Sequence, residues 1–133
     1  MAKRSASQEL LEFEIRFYER LLEEHPQFPD ALAALGNAYT RSGLFEKGLA
    51  VDLKLTQLRP QDPIAWYNIA CSYALTKQSE EALKALSRAL EFGYDDLAYL
   101  MKDPDLVSVR HSPALKQLLK DHLSQKISSS APA

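Results

Sequence analysis

Apolar and polar positions recur with helical spacing along most of the chain, and the clearest stretch runs from Pro63 to Tyr94. Its apolar set, Trp66, Ile69, Tyr73, Leu83, Leu86, Leu90 and Phe92, predicts the core of two antiparallel helices that turn near Lys77. Asp62–Pro63 supplies a capping carboxylate and a residue suited to the first helical position, and Gly93 ends the second helix. Moved by 34 residues, the chain matches itself: Pro29 falls on Pro63, Ala31 on Ala65, Leu32 on Trp66, Leu35 on Ile69, Tyr39 on Tyr73, Glu46 on Glu80 and Leu49 on Leu83. A second helix pair therefore occupies Pro29 to about Arg59, with a left-handed Gly43 at its turn. Lys77 stands where Gly43 stands, so the later turn is expected to take a conformation that tolerates a side chain. In the earlier pair Gly48 replaces Ala82, Asp52 replaces Leu86 and Leu55 replaces Ala89. Asp52 is either rotated into solvent or buried with hydrogen-bonding partners.

Before these pairs, Ser5 with Gln8 offers a capping box, and a helix runs to His25, where Pro26 stops it. Its apolar residues Leu10, Leu11, Phe13, Ile15, Phe17, Tyr18, Leu21 and Leu22 spread over roughly 200° of the circumference, about twice the stripe that one neighbour covers. Phe13, Phe17, Tyr18 and Leu21 are expected against the next pair, leaving Leu11 and Ile15 to a partner or a second neighbour. After Gly93 the period fails. Leu97 and Leu100 continue it briefly, Asp103–Pro104 stops it, a short turn runs to Val109, and Ser112–Pro113 opens a last helix to about Lys126.

A 34-residue period with a large apolar residue, a Leu/Gly-type pair, a Tyr, a small residue and a closing Pro resembles the tetratricopeptide repeat. The resemblance rests on Ala65–Trp66–Tyr67–Asn68–Ile69–Ala70, Tyr73, Ala82, Leu86 and Ala89, and recurs in Leu35–Gly36–Asn37–Ala38–Tyr39 with Pro60. It implies an all-α fold, a short right-handed solenoid of antiparallel helix pairs. The implied layout is one domain over residues 5–126, with a half repeat at 5–25, repeats at 29–62 and 63–96, capping helices at 97–126, and flexible tails at 1–4 and 127–133. The segment from Gly93 to Leu119 is similar to the closing segment of small bacterial tetratricopeptide proteins, in which a DPDL turn covers the last repeat.

The same resemblance implies a protein-interaction module with a concave groove lined by the first helix of each pair. Its candidate binding residues are Asn37, Arg41, Tyr67, Asn68, Cys71, Leu75, Met101 and Lys102. Family members that clamp a chaperone's terminal carboxylate use two Asn and several cations on these helices. Asn37 and Asn68 match the amides and Lys102 one cation, whereas Ala33 and Ala98 occupy the places of two others, so a full carboxylate clamp is not expected. Two Asn side chains can still hold a peptide backbone, because each donates to a carbonyl and accepts from an amide.

Composition narrows the alternatives. A chain of 133 residues can bury roughly two thirds of its unfolded surface without disulfides, and Cys71 has no internal partner. The start MAKRSASQ lacks the apolar core of an export signal, so a cytoplasmic protein is expected. No apolar run reaches membrane-spanning length, and a formal net charge of −2 offers no attraction to nucleic acid or anionic lipid. The basic residues Arg110, His111, Lys116, Lys120, His122 and Lys126 alternate with leucines, as on the solvated face of an amphipathic helix. No Ser/His/Asp order, phosphate loop or Cys/His metal spacing occurs, and His25, His111 and His122 lie far apart, so no enzyme, metal or cofactor is expected. The expected partner is a protein or peptide segment. The alternative is a structural protein that forms a homodimer through the first helix.

Overall fold

The helical periodicity of the sequence is realised in the computed structural model, which describes residues 5–130 and divides into two compact units between Gln61 and Asp62. All regular structure among the described residues is helical. No helix among them is long and apolar enough to cross a membrane. The expected tails at 1–4 and 131–133 lie outside the described residues.

The first unit contains α1 (Ala6–Glu24), α2 (Pro29–Arg41) and α3 (Phe45–Leu58), with α2 packed on both neighbours. Its α1 starts at the capping box: Ser5 Oγ accepts the Gln8 N–H at 3.1 Å, and Gln8 Oε1 accepts the Ser5 N–H at 2.9 Å. Ala31, Leu32, Leu35, Ala38, Tyr39, Leu49 and Leu55 are buried. The two helices of the pair approach closely where Gly36 faces α3 and Gly48 faces α2: a Cβ on Gly48 would lie 3.1 Å from Thr40 Oγ1 and 3.5 Å from the Gly36 carbonyl oxygen. Asp52 is 4 % exposed, and its Oδ1 lies where a Cβ on Gly36 would come within 2.5 Å. The rotation into solvent does not occur.

The packing face of α1 differs from the sequence expectation. Leu11, Ile15, Tyr18 and Leu22 are half-buried, whereas Leu10, Phe13 and Phe17 remain 62 %, 59 % and 53 % exposed. Polar contacts choose this rotation. The Tyr39 hydroxyl donates to Glu19 Oε2 at 2.6 Å, and Arg41 Nη2 donates to Glu14 Oε2 at 2.8 Å, so the side of α1 that carries Glu14 and Glu19 must face α2.

The second unit pairs α4 (Pro63–Leu75) with α5 (Ser79–Glu91), and Asp62 caps α4 by accepting the Ile64 N–H at 2.9 Å. Ile69, Ala70, Ala82, Leu86, Ala89 and Leu90 form its interior, while Trp66, Tyr73, Leu83 and Phe92, expected in the core, are half-buried. The turn at Lys77 does not avoid the left-handed region. Lys77 has φ 64° where Gly43 has φ 78°, and both turns close with the same bond, Gln78 N–H to Tyr73 carbonyl at 2.8 Å and Leu44 N–H to Tyr39 carbonyl at 2.9 Å. Beyond Gly93, α6 (Leu97–Leu100), a 3-10 turn (Pro104–Leu106) and α7 (Val107–Arg110) lead into α8 (Pro113–Ser130). Leu100, Leu106, Val109 and Leu115 are fully buried, with the 3-10 turn and α7 lying on α4 and with α7 and α8 reaching α5. The last helix continues past residue 127, where the tail was expected, through Ser130.

Candidate protein-binding surface

Ile64, Tyr67, Cys71 and Leu75 follow one another along α4 at steps of three or four residues and so form one stripe, with Asn68 beside Tyr67. The turn at Asp103 lands on this stripe. Preceding a proline confines Asp103 to extended backbone, φ −63° and ψ 119°, where its Oδ1 accepts the Asp105 N–H at 2.9 Å. Its Oδ2 accepts the Tyr67 hydroxyl at 2.6 Å and the Cys71 thiol at 3.7 Å. Arg110 Nη2 donates to the Asp103 carbonyl oxygen at 2.7 Å, and Ser108 Oγ donates to the Ala74 carbonyl at 3.2 Å. A carboxylate only 3 % exposed is held in the interior by these bonds. The Tyr67 ring stacks on Tyr94 with centroids 4.3 Å apart and planes within 4°, and Tyr99 lies 6.4 Å from Tyr67 on the open side.

Burial, and then the hydrogen bond to Asp103, raises the Tyr67 hydroxyl well above its ordinary value. Burial, followed by the charges of Asp103 and Asp105, likewise raises the Cys71 thiol. At neutral pH Cys71 is a thiol, and nucleophilic attack requires a thiolate. Burial and the neighbouring Asp103 raise the Asp105 carboxyl. Ligand atoms of Cys71, Asp103 and Asp105 lie within 4.8 Å of one another, and these are the residues that could hold a cation. Asp103 already accepts a hydroxyl, a thiol and an amide, about three of the four acceptor sites of a carboxylate, which makes it a hydrogen-bond hub. Arg110 Nε, buried beside it, has no hydrogen-bond partner among the described residues.

The eight candidate residues are not in equivalent settings. Tyr67 and Cys71, expected on an open groove, are covered by the Asp103 turn. Asn68 and Leu75 are half-buried on α4, while Met101 and Lys102, which follow α6, are exposed. In the first unit Asn37 and Arg41 are both exposed and engage each other: Asn37 Oδ1 accepts Arg41 Nε at 2.8 Å while Arg41 also reaches Glu14. Ile64, one turn before Asn68 on α4, is 54 % exposed, and Tyr99 beside Tyr67 and Met101 after α6 are 44 % and 42 % exposed. Sequence reasoning missed Asp103, which reads as a helix stop. The available signal was the Asp-Pro-Asp order, which forces an N-cap geometry and leaves the second carboxylate oxygen to seek a donor elsewhere.

Residues 64–92 match the tetratricopeptide repeat. Over 128 residues the chain is 31 % identical to a chloroplastic protein of Arabidopsis thaliana, an alignment that takes in 94 % of this chain and 38 % of that protein. Over 64 residues it is 36 % identical to a TPR repeat-containing protein of Picosynechococcus sp., covering 48 % of this chain and 16 % of the relative. The chain thus spans less than two fifths of the length of either relative.

Proposed function

The chain belongs to the tetratricopeptide-repeat family, whose repeats generally mediate protein–protein interaction and are not catalytic, and on that basis we propose that it is an adaptor holding a peptide segment of another protein on the open side of α4. The observation that carries this reading is the half-buried amide of Asn68 one turn from the exposed Ile64 on α4, next to Tyr67 against which the exposed Tyr99 lies. In such a setting the amide pairs with a peptide backbone, Ile64, Leu75 and Met101 take apolar side chains, and Lys102 favours an acidic one. Tyr67 and Cys71 then form the floor, fixed by Asp103, and do not touch the ligand. In the first unit, taken by itself, α2 carries the matching amide Asn37, bonded to Arg41.

The test is crosslinking from a photoreactive residue at position 64 to capture the ligand, followed by affinity and melting measurements on Asn68→Ala, Asn37→Ala and the outer-face control Lys84→Ala. Loss of two backbone hydrogen bonds weakens binding by about 1–3 kcal/mol, roughly five- to 150-fold. Equal affinity for Asn68→Ala and the control would overturn the role of the amide. A second reading, self-association through α1, is favoured by the exposed Leu10, Phe13 and Phe17. The cytoplasmic placement belongs to the adaptor reading as a proposal, set against a relative whose name places it in the chloroplast, and cell fractionation decides it.

A further inference from the structure

Resting on the self-association reading, we infer that α1 pairs with α1 of a second copy in antiparallel register, with Phe13 of each copy opposite Phe17 of the other. Three large apolar side chains on one helix, Leu10, Phe13 and Phe17, are each more than half exposed, and the Phe13 and Phe17 rings lie nearly parallel with centroids 6.5 Å apart. At about 100° per residue, Phe17 sits about 20° from Leu10 and Phe13 about 60° in the same direction. Exposed Arg20 and Glu9 follow at about 80° and 100°, forming one charged edge of the stripe. The opposite edge is already occupied, since Leu21 is half-buried and Glu14 is bonded to Arg41. The stripe therefore has one free edge, and that edge carries both signs of charge.

This asymmetry selects the arrangement of the pair. In an antiparallel pair related by a two-fold axis, each edge meets the same edge of the other copy. With Phe13 level with Phe17 of the second copy, Glu9 lies within about one residue rise, ~1.5 Å, of the level of Arg20, and the relation repeats by symmetry. Two ion pairs then flank four phenylalanine rings and two leucines. A parallel pair would set the Glu9 and Arg20 edge against the edge already taken by Glu14 and Leu21. The exposed parts of the three apolar side chains amount to roughly 300 Å² per copy, from the 150–250 Å² an aromatic side chain buries. Over both copies, even with the flanking charges, this stays below the roughly 1,200 Å² at which stable interfaces begin, so the pair is a weak one with a Kd of about ten micromolar or above.

Sedimentation equilibrium on the whole chain tests the register. Glu9→Arg alone and Arg20→Glu alone each create two like-charge contacts and weaken the dimer about tenfold. An equimolar mixture of the two variants regains wild-type affinity as a heterodimer, because both cross-pairs become complementary. In the monomeric range the melting temperature of Arg20→Glu stays at the wild-type value because the residue is exposed, whereas Glu9→Arg melts slightly lower because Glu9 lies in the first turn of α1. If Phe17→Ser abolishes the dimer but the mixture fails to recover, α1 associates in another register and the antiparallel inference is overturned while self-association stands. A wild-type chain that stays monomeric to about 1 mM, well above a Kd of about ten micromolar, overturns both.

Discussion

Each unit buries one aspartate, and the two are held in opposite ways. In the first unit Asp52 enters the interior of the helix pair, at the position where the second unit has Leu86. Room for it exists only because Gly36 has no Cβ, and the matching residue of the second pair is Ala70. In the second pair Ala70, Ala82, Leu86 and Ala89 are fully buried at the matching places, and the carboxylate, Asp103, comes from the closing segment onto the Tyr67 stripe of α4. The same 34-residue pattern thus tolerates a carboxylate inside the pair or against it, provided that glycine or a tyrosine makes the place. What distinguishes a structural from a ligand-facing stripe is which side chains the chain itself already covers.

The largest expected effect removes the carboxylate on the stripe. Asp103→Ala leaves the Tyr67 hydroxyl, the Cys71 thiol and the Asp105 amide without their acceptor, and hydrogen bonds to charged groups contribute about 1.5–3 kcal/mol each, so the variant should lose about 3 kcal/mol in urea unfolding. A loss under about 1 kcal/mol would show that Asp103 merely sits in the interior and does not hold the segment. The same contact makes alkali destabilising. Because the Tyr67 hydroxyl is raised in the folded chain, its contribution is intact below the ordinary tyrosine value near 10 and is lost as pH rises above it. Tyr39, pushed up to about 12 by burial and by its bond to Glu19, acts with the same sign. Tyr67→Phe should flatten the fall in stability above pH ~10.

Next in size is the glycine that admits Asp52. Gly36→Ala sets a methyl 2.5 Å from Asp52 Oδ1 and should cost about 1–3 kcal/mol through overpacking. Combining it with Asp52→Ala should cost less than the sum of the two changes, and a double-mutant cycle measured by denaturant unfolding reads that coupling. Strict additivity would mean that the carboxylate moves aside freely. The reciprocal change Ala70→Gly removes a fully buried methyl and should cost about 1 kcal/mol with no coupling to Leu86.

Helix pairs, caps and breaks were legible because each rests on local rules. Ser5 with Gln8, Asp62 before Pro63, Gly93 and the stop at Asp103–Pro104 all act within a turn of themselves. Three features needed partners distant in the chain. The face that α1 turns inward was ambiguous, since its apolar residues cover roughly 200°, and Glu14 and Glu19 resolved it by finding Arg41 and Tyr39 about one and a half helices later. The burial of Tyr67 and Cys71 depended on Asp103, more than thirty residues away. At Lys77 propensity pointed away from the left-handed region, and the closing bond from Gln78 to Tyr73 overrode it.

That override gives a smaller test of the likeness between the turns. A left-handed lysine costs about 1–2 kcal/mol relative to glycine, partly offset by the freedom glycine gains on unfolding. Lys77→Gly should therefore stabilise the chain by about 0.5–1 kcal/mol, and Gly43→Lys should destabilise it by a similar amount, both read as shifts in melting temperature.

The smallest effect concerns how the first helix of each pair begins. Asp62 caps α4, whereas the matching N-cap of α2 is Phe28, which makes no side-chain cap bond and is 39 % exposed. The backbone at Phe28, φ −84° and ψ 103°, is nearly that of Asp62, φ −82° and ψ 113°, so a carboxylate placed there is already aimed at the first free amides of α2. A cap contributes about 1 kcal/mol, and losing a partly covered ring subtracts some of it. Phe28→Asp should thus raise stability by about 0.5 kcal/mol, against a loss of about 1 kcal/mol for Asp62→Ala. A lower melting temperature for Phe28→Asp would mean that the ring contributes more by packing over the turn from Glu24 to Gln27 than a cap can return. The first pair would then start on apolar contact and the second on a hydrogen bond, which separates the two helix starts as sharply as Asp52 and Leu86 separate the two interiors.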